Sequence, residues 1–408
     1  YSDQEGQPGL IIGFAALGAA VGGPQVFTNA APVKGAITLP KEAGIVKDVV
    51  VNQPDLAAAI DVVKEDGVLK NVVLRDTDKV KAIKAEVPTS GAGQAEVLES
   101  FWKQAVTGPD QLRQRMAYAL SQIFVISMVA GTVSNEPRAV AAYLDLLADK
   151  GLGNYRELLE AVSRHPMMGA YLSHMRNRKE DPGTGRVPDE NYAREVMQLF
   201  SIGLVELNLD GSTKPGPGGA ALETYTPADI SGLARVFTGW SWDCPAYPAN
   251  GCCNIGSSGG VSDPDRWFKP MLGYPNFHST EAKTFLGTTL AAQTTADPSA
   301  SLAAALDRLH QHPNVGPFIG RQLIQRFVTS NPSPAYVAAV AEAFNDNGRG
   351  VRGDLKAVLR AVLLHPEARA QGDTSGKVRE PVLRLSAYLR AFPHASDSGH
   401  WRVGNTDN

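Results

Sequence analysis

The sequence predicts a mainly α fold: a multi-helix domain with long loops over residues 95–408, preceded at 1–94 by a small segment of α/β character. Three observations carry this. From Ala95 onward, apolar residues recur at three- and four-residue spacing in about ten stretches with no strand signal between them. Turn-rich stretches interrupt them at 204–226 and 238–298, which read as long loops. Upstream of Ala95 the aromatic residues are only Tyr1, Phe14 and Phe27 and there is no histidine, so side-chain chemistry is concentrated downstream.

Taken in order, the apolar run at 9–23 is shorter than the ~20 residues a spanning helix needs, so no transmembrane span is expected. Its glycines suit a buried packing element, with the tail of a signal segment as the other reading. Ile45–Val51 and Val68–Leu74 are β-branched runs, and Pro54–Glu65 between them reads as a helix with Leu56, Ile60 and Val63 on one face. Helices are then expected at 95–107, 110–130, 136–149, 154–164, 166–177, 189–203, 227–237, 299–311, 314–328, 333–346, 352–364 and 377–391. Three joints share a His-Pro step, at His165, His312 and His365. Proline disfavours helix in the preceding residue, and a histidine in a last turn can donate to orphan carbonyls, so all three read as helix corners.

Lys and Arg total 39 against 42 for Asp and Glu, a net charge of −3 that argues against a nucleic-acid partner. No Walker loop, His-Glu-x-x-His or Cys-x-x-Cys-His is present, which removes the commonest nucleotide, zincin and haem readings. The sequence names no cofactor or metal. The three cysteines, Cys244, Cys252 and Cys253, fall in one loop, and a bridge from Cys244 to either of the others would imply an oxidising compartment.

The richest chemistry lies between His165 and Gly203. Asp189 is expected to cap a helix that Gly203 stops, with Tyr192, Val196 and Leu199 as its buried stripe. Glu190 and Arg194 are then an i,i+4 pair, and Glu195 shares a neighbouring face with Gln198. Such a cluster can serve acid–base chemistry or bind a divalent ion, with His174 presented from the preceding helix. The other reading is an Arg–Glu network that fixes the loop from Arg176 to Val187. Asn177 and Asn191 are candidate ligand-binding residues, and Trp240 with Trp242 is a candidate aromatic platform, or else an anchor for its loop.

Leu112-Arg-Gln-Arg-Met-Ala-Tyr-Ala-Leu, the blocks His165 to Asn177 and Pro188 to Gly203, Tyr225-Thr-Pro-Ala-Asp229, Ala234-Arg-Val-Phe-Thr-Gly-Trp240 and Lys283-Thr-Phe-Leu-Gly287 together resemble the bacterial family catalogued as domain of unknown function 1800, over roughly residues 95–408. The resemblance implies an exported helical protein, periplasmic, cell-surface or extracellular, often encoded beside a second exported protein. It implies no reaction. Many members carry His where this chain has Phe200, so any metal site that used that imidazole would lack that ligand here. Two functions follow as expectations: an exported enzyme or cofactor-binding protein with a polar pocket at Glu190, Arg194, Glu195 and His174, or a noncatalytic subunit of a cell-envelope or extracellular assembly that takes a protein partner.

Overall fold

The computed structural model describes strand residues between 37 and 74, then residues 83–244, 255, 265–370, 377–392 and 395–401. It divides into one unit at Ala19–Lys81 and a larger one holding Ala82–Asn408. The smaller unit is built from antiparallel pairs: β1 (Ile37–Thr38) with β4 (Val50–Val51), β2 (Lys41–Glu42) with β3 (Ile45–Val46), and β5 (Ile60–Glu65) with β6 (Val68–Leu74). The expected helix from Pro54 to Glu65 is therefore corrected at its C-terminal half. Ile60, Val62 and Val63 are β-branched, and β6 supplies the neighbouring strand they favour. Residues 9–23 and 54–59 lie outside the described residues.

The larger unit is mainly α. Four of its helices begin at a side chain that caps them. Asn154 accepts from Arg156 N at the head of α6 (Tyr155–Ser163), Asp297 from Ala300 N at α10 (Pro298–Gln311), Ser333 from Tyr336 N at α12 (Pro334–Asn345), and Asp354 from Lys356 N and Ala357 N at α13 (Leu355–Leu364). Proline occupies the first turn not only of α10 and α12 but of α5 (Pro137–Lys150), α7 (Pro166–Tyr171), α9 (Pro227–Ala234), α14 (Pro366–Arg369) and α15 (Pro381–Ala391), where its missing N–H costs nothing.

Around one apolar core, α2 (Gln94–Thr107) packs on α1 (Ile83–Glu86), α5 and α15. The Arg390 guanidinium of α15 reaches back to the carbonyls of Val106, in the last turn of α2, and of Gly108, just past its end. α3 (Gln111–Ser121) lies on α5 and α11 (Val315–Phe327), α11 on α12 and α13, and α6 on α10.

The helix expected over 110–130 stops at Ser121, and a separate short turn, α4 (Gly131–Ser134), follows. Carbonyls that a longer helix would need are taken by side chains from elsewhere: Tyr143 Oη donates to Phe124 O at 2.8 Å and Arg326 Nη2 to Gln122 O at 3.0 Å. The helix expected over 166–177 stops at Tyr171, because Ser173 (φ 61°) and Arg176 (φ 69°) enter the left-handed region.

The three His-Pro corners share one geometry, but not the expected one. The rings do not donate to the preceding helix. In each, Nδ1 accepts the N–H two residues on, from Met167, Asn314 and Glu367, always at 3.2 Å. The imidazole thus caps the turn that follows its proline, and must be neutral to do so. His365→Asn, which keeps a capping acceptor, is expected to cost no more than about 1 kcal/mol in a urea titration. A loss several times larger would mean that the ring's stack on Tyr336, with centroids 4.2 Å apart, carries the corner instead.

Candidate functional site

The helix that carries the carboxylates, α8 (Asn191–Gln198), is shorter than expected at both ends. Glu190 occupies the cap position, but the capping carboxylate belongs to Asp189, which accepts from Asn191 N at 2.8 Å and from Ser173 Oγ at 3.0 Å. At the far end Ile202 N and Gly203 N both return to Met197 O, and Gly203 has φ 73°, the left-handed stop its sequence position predicts. The buried stripe is Tyr192, Ala193, Val196 and Met197, while Leu199 is 45% exposed, because the helix unwinds before Leu199 completes the period.

On the outer face Arg194 Nη2 lies 3.5 Å from Glu190 Oε2, with both side chains more than 40% exposed. Glu190 Oε1 accepts from Ser231 Oγ, tying α8 to α9. Glu195 is half-buried, and desolvation raises its carboxyl pKa against the opposing pull of Arg194. Tyr225 Oη donates to Gln198 Oε1 at 3.1 Å. Asn191 is exposed. Among the described residues no group of three or more His, Cys, Asp or Glu side chains is placed to hold a metal ion.

The remaining predicted site residues are elsewhere. Instead of facing the carboxylates, His174 turns inward: it is 1% exposed, its ring stacks on Tyr192 at 3.8 Å, and Nε2 donates to Ser163 O at 2.8 Å. Burial lowers its pKa to about 4. The left-handed residues on either side redirect it, which the helical spacing did not anticipate. Asn177 is a clamp. Its Oδ1 accepts from Asp189 N at 2.9 Å and its Nδ2 donates to Asp189 O at 3.2 Å, so the segment after α7 is fastened to the start of α8. That clamp does the work expected of an Arg–Glu network, while Arg186 pairs with Asp181 and Lys179 O within its own loop.

Neither tryptophan forms an open platform. Trp240, in β7 (Trp240–Ser241), donates from Nε1 to Val236 O at 3.2 Å and pairs with Gly273 of β8 (Leu272–Gly273). Trp242 meets Trp267 edge-on at 5.0 Å. Both are buried, so they anchor their loop. Cys244 is buried as well, in a small cluster with Ile255 and Tyr274, while Cys252 and Cys253 lie outside the described residues.

Behind these residues is a buried polar hub that the sequence did not reveal. His278 Nδ1 donates to Thr238 O at 2.8 Å and its Nε2 meets Ser301 Oγ at 3.0 Å. Ser279 Oγ donates to Glu180 Oε1 at 2.7 Å. Lys283, fully buried at the start of β9 (Lys283–Phe285), donates from Nζ to Ser279 O at 2.8 Å and Glu281 O at 3.3 Å. β9 pairs with β10 (Thr288–Leu290), and α9 sits against this hairpin through Asp229 Oδ1, which accepts from Leu286 N. The motif residues Asp229, Gly239, Trp240 and Lys283 therefore converge on holding irregular backbone in place. The only sequence signal for the hub was a lysine in an apolar strand, which a single sequence does not distinguish from a surface cation.

The family model described as "Protein of unknown function (DUF1800)" matches residues 25–406, beginning well before the motifs that carry the resemblance. No curated protein and no solved structure matches the chain.

Proposed function

The chain belongs to the DUF1800 family, and from that premise we propose that it is an exported, noncatalytic binding or structural subunit of a cell-envelope or extracellular assembly, presenting Glu190, Arg194 and Glu195 at a contact surface. One observation carries this reading. The groups in the motif block best suited to chemistry are spent inside the protein, with His174 stacked on Tyr192 and bonded to Ser163 O, while Glu190 and Arg194 stand at the surface. An enzyme or cofactor-binding protein using the same cluster is the competing reading, favoured by the raised pKa of Glu195. Among the described residues no helix is long and apolar enough to cross a membrane.

Native-size fractionation of envelope extracts, with elemental analysis of the purified protein, separates the two. The wild type is expected well above the 43.4 kDa of one chain and without stoichiometric metal, and a Glu190→Lys/Glu195→Lys variant is expected to fall to the size of one chain while its circular dichroism stays that of the folded protein. Stoichiometric metal, or one-chain size in the wild type, would overturn the proposal.

Export into an oxidising compartment also carries an expectation for the cysteine loop. Pro245, Pro248 and Gly251 lie between Cys244 and Cys252 and bias the sequence toward turns, so a bridge from Cys244 is expected to form with little strain. Nonreducing mass spectrometry of the peptide covering 236–266 checks it, and three free thiols would contradict it.

A further inference from the structure

Past the end of α8 the chain folds back on itself and exposes leucine. Val205 pairs with Glu223 as an antiparallel bridge, with Thr224 N donating to Leu204 O at 3.1 Å and Glu206 N to Leu222 O at 2.7 Å. In that register Leu204 and Leu222 are diagonal neighbours on one face, and they are 57% and 38% exposed. Glu206 shares the face, neutralised by Lys214 at 2.9 Å. Tyr225 Oη donates to Gln198 and Thr224 Oγ1 to Gly203 O, which sets this ladder against the end of α8, where Leu199 is a third exposed leucine. Exposed apolar side chains standing together, unlike scattered ones, mark a contact surface.

Charge lies further up the helix. Glu195 is one turn before Leu199 and Arg194 one turn before Gln198, so the two stand side by side at the edge of the leucines. Neither is fully engaged. Arg194 meets Glu190 through Nη2 alone, at 3.5 Å, with the rest of its five-donor fork to spare. Glu195 makes no hydrogen bond or ion pair among the described residues, and partial burial raises its pKa despite the neighbouring Arg194. A carboxylate short of a cation, next to a cation with donors to spare, is complementary to its own copy. A two-fold axis in the contact plane, running from the leucines between Arg194 and Glu195, sets leucine on leucine and Arg194 of each copy on Glu195 of the other. A face carrying charge of one sign would instead repel its copy.

We propose that this face pairs with the same face of a second copy of the chain, with Leu199, Leu204 and Leu222 at the centre and an Arg194–Glu195 pair on either side of the axis. An apolar centre with charge at its rim is the usual anatomy of a protein contact. The inference rests on the reading of α8 as a contact surface and names the partner that meets it.

The test is sedimentation equilibrium of the purified full chain. Twice the 43.4 kDa of one chain is expected. The dissociation constant is expected between about 1 and 100 μM, since three leucines and two charge pairs make an interface smaller than the roughly 800 Å² per partner of a standard one. Leu204→Glu, at an exposed position, is expected to weaken pairing at least about tenfold with circular dichroism unchanged. Arg194→Glu and Glu195→Arg are each expected to sediment as one chain, and an equimolar mixture of the two to recover the dimer, because every reversed charge then meets its opposite. One-chain size of the wild type up to about 100 μM would overturn the proposal. So would pairing that survives Leu204→Glu, or a mixture that pairs no more tightly than its components. One-chain size of purified protein that runs large in envelope extracts would mean that a different protein covers the face, which overturns this inference and leaves the proposed function standing. One-chain size in the extracts themselves overturns the proposed function instead.

Discussion

Stability is expected to collapse on mild acidification, by up to about 5 kcal/mol per pH unit between roughly pH 6 and 4.5. Five buried histidines drive this. Burial lowers His165 to about 3 and His174, His278, His310 and His312 to about 4, while the unfolded chain takes up each proton near 6.5. A lowered folded-state value means that the unfolded state binds more protons throughout that window. Full stability is thus present above about 6.5 and is lost as pH falls toward 4, at about 1.4 kcal/mol per unit for each ring. Asp145 runs the other way: burial raises it to about 6, so the folded state gains a proton there first and returns about one histidine's worth. For His165 and His312 the mechanism is visible, since a proton on Nδ1 removes the acceptor that caps the following turn. Against a total of about 5–15 kcal/mol, most of the stability is expected to be gone by about pH 4.5. Urea midpoints measured from pH 7.5 down to 5 check it, and a flat profile across that range would contradict the burial of the rings as described.

Gly232→Ala is expected to destabilise the larger unit by more than about 3 kcal/mol, although alanine is the better helix former by about 1 kcal/mol. Gly232 lies inside α9, and a Cβ there would sit 1.7 Å from Thr284 O. The obstruction is backbone, so no rotamer relieves it: α9 must move off β9, breaking the Asp229 bond to Leu286 N and straining the contact of Arg235 with Ala282 O. Gly131→Ala, the same substitution where no atom lies within 4 Å, is the control and should be neutral or slightly stabilising. Equal effects at the two positions would mean that the close approach of helix and hairpin is not what Gly232 serves.

The helices of the larger unit were legible because period, caps and first-turn prolines agree locally, as at Asp297-Pro298 and Ser333-Pro334. Where the sequence misled, the deciding interaction came from far along the chain or from an unusual backbone state. The end of α3 depends on Arg326, 204 residues away. The inward turn of His174 depends on a serine and an arginine in the left-handed region, types that carry no such signal. The strand pairing of β5 with β6 is different, because its signal was present: Asp66-Gly67 between two β-branched runs is a strong hairpin marker, and the helical period of Leu56, Ile60 and Val63 obscured it. At the α8 surface, the Glu190–Arg194 pair followed from i,i+4 spacing alone, whereas the clamp of Asn177 on Asp189 joins loops whose geometry no local pattern encodes.

The packing of α15 against α2 also sets an order of events during synthesis. The first long helix of the described residues to leave the ribosome is covered by the last one to do so. At about 5–20 residues per second, the part of α2 that α15 covers waits on the order of tens of seconds, while α1 and α5 are in place long before. Helical contacts within the middle of the chain can form in that interval, but the unit cannot close. Until its C-terminal helix arrives, that strip of α2 stays open to water, and to any chaperone that binds apolar helix faces.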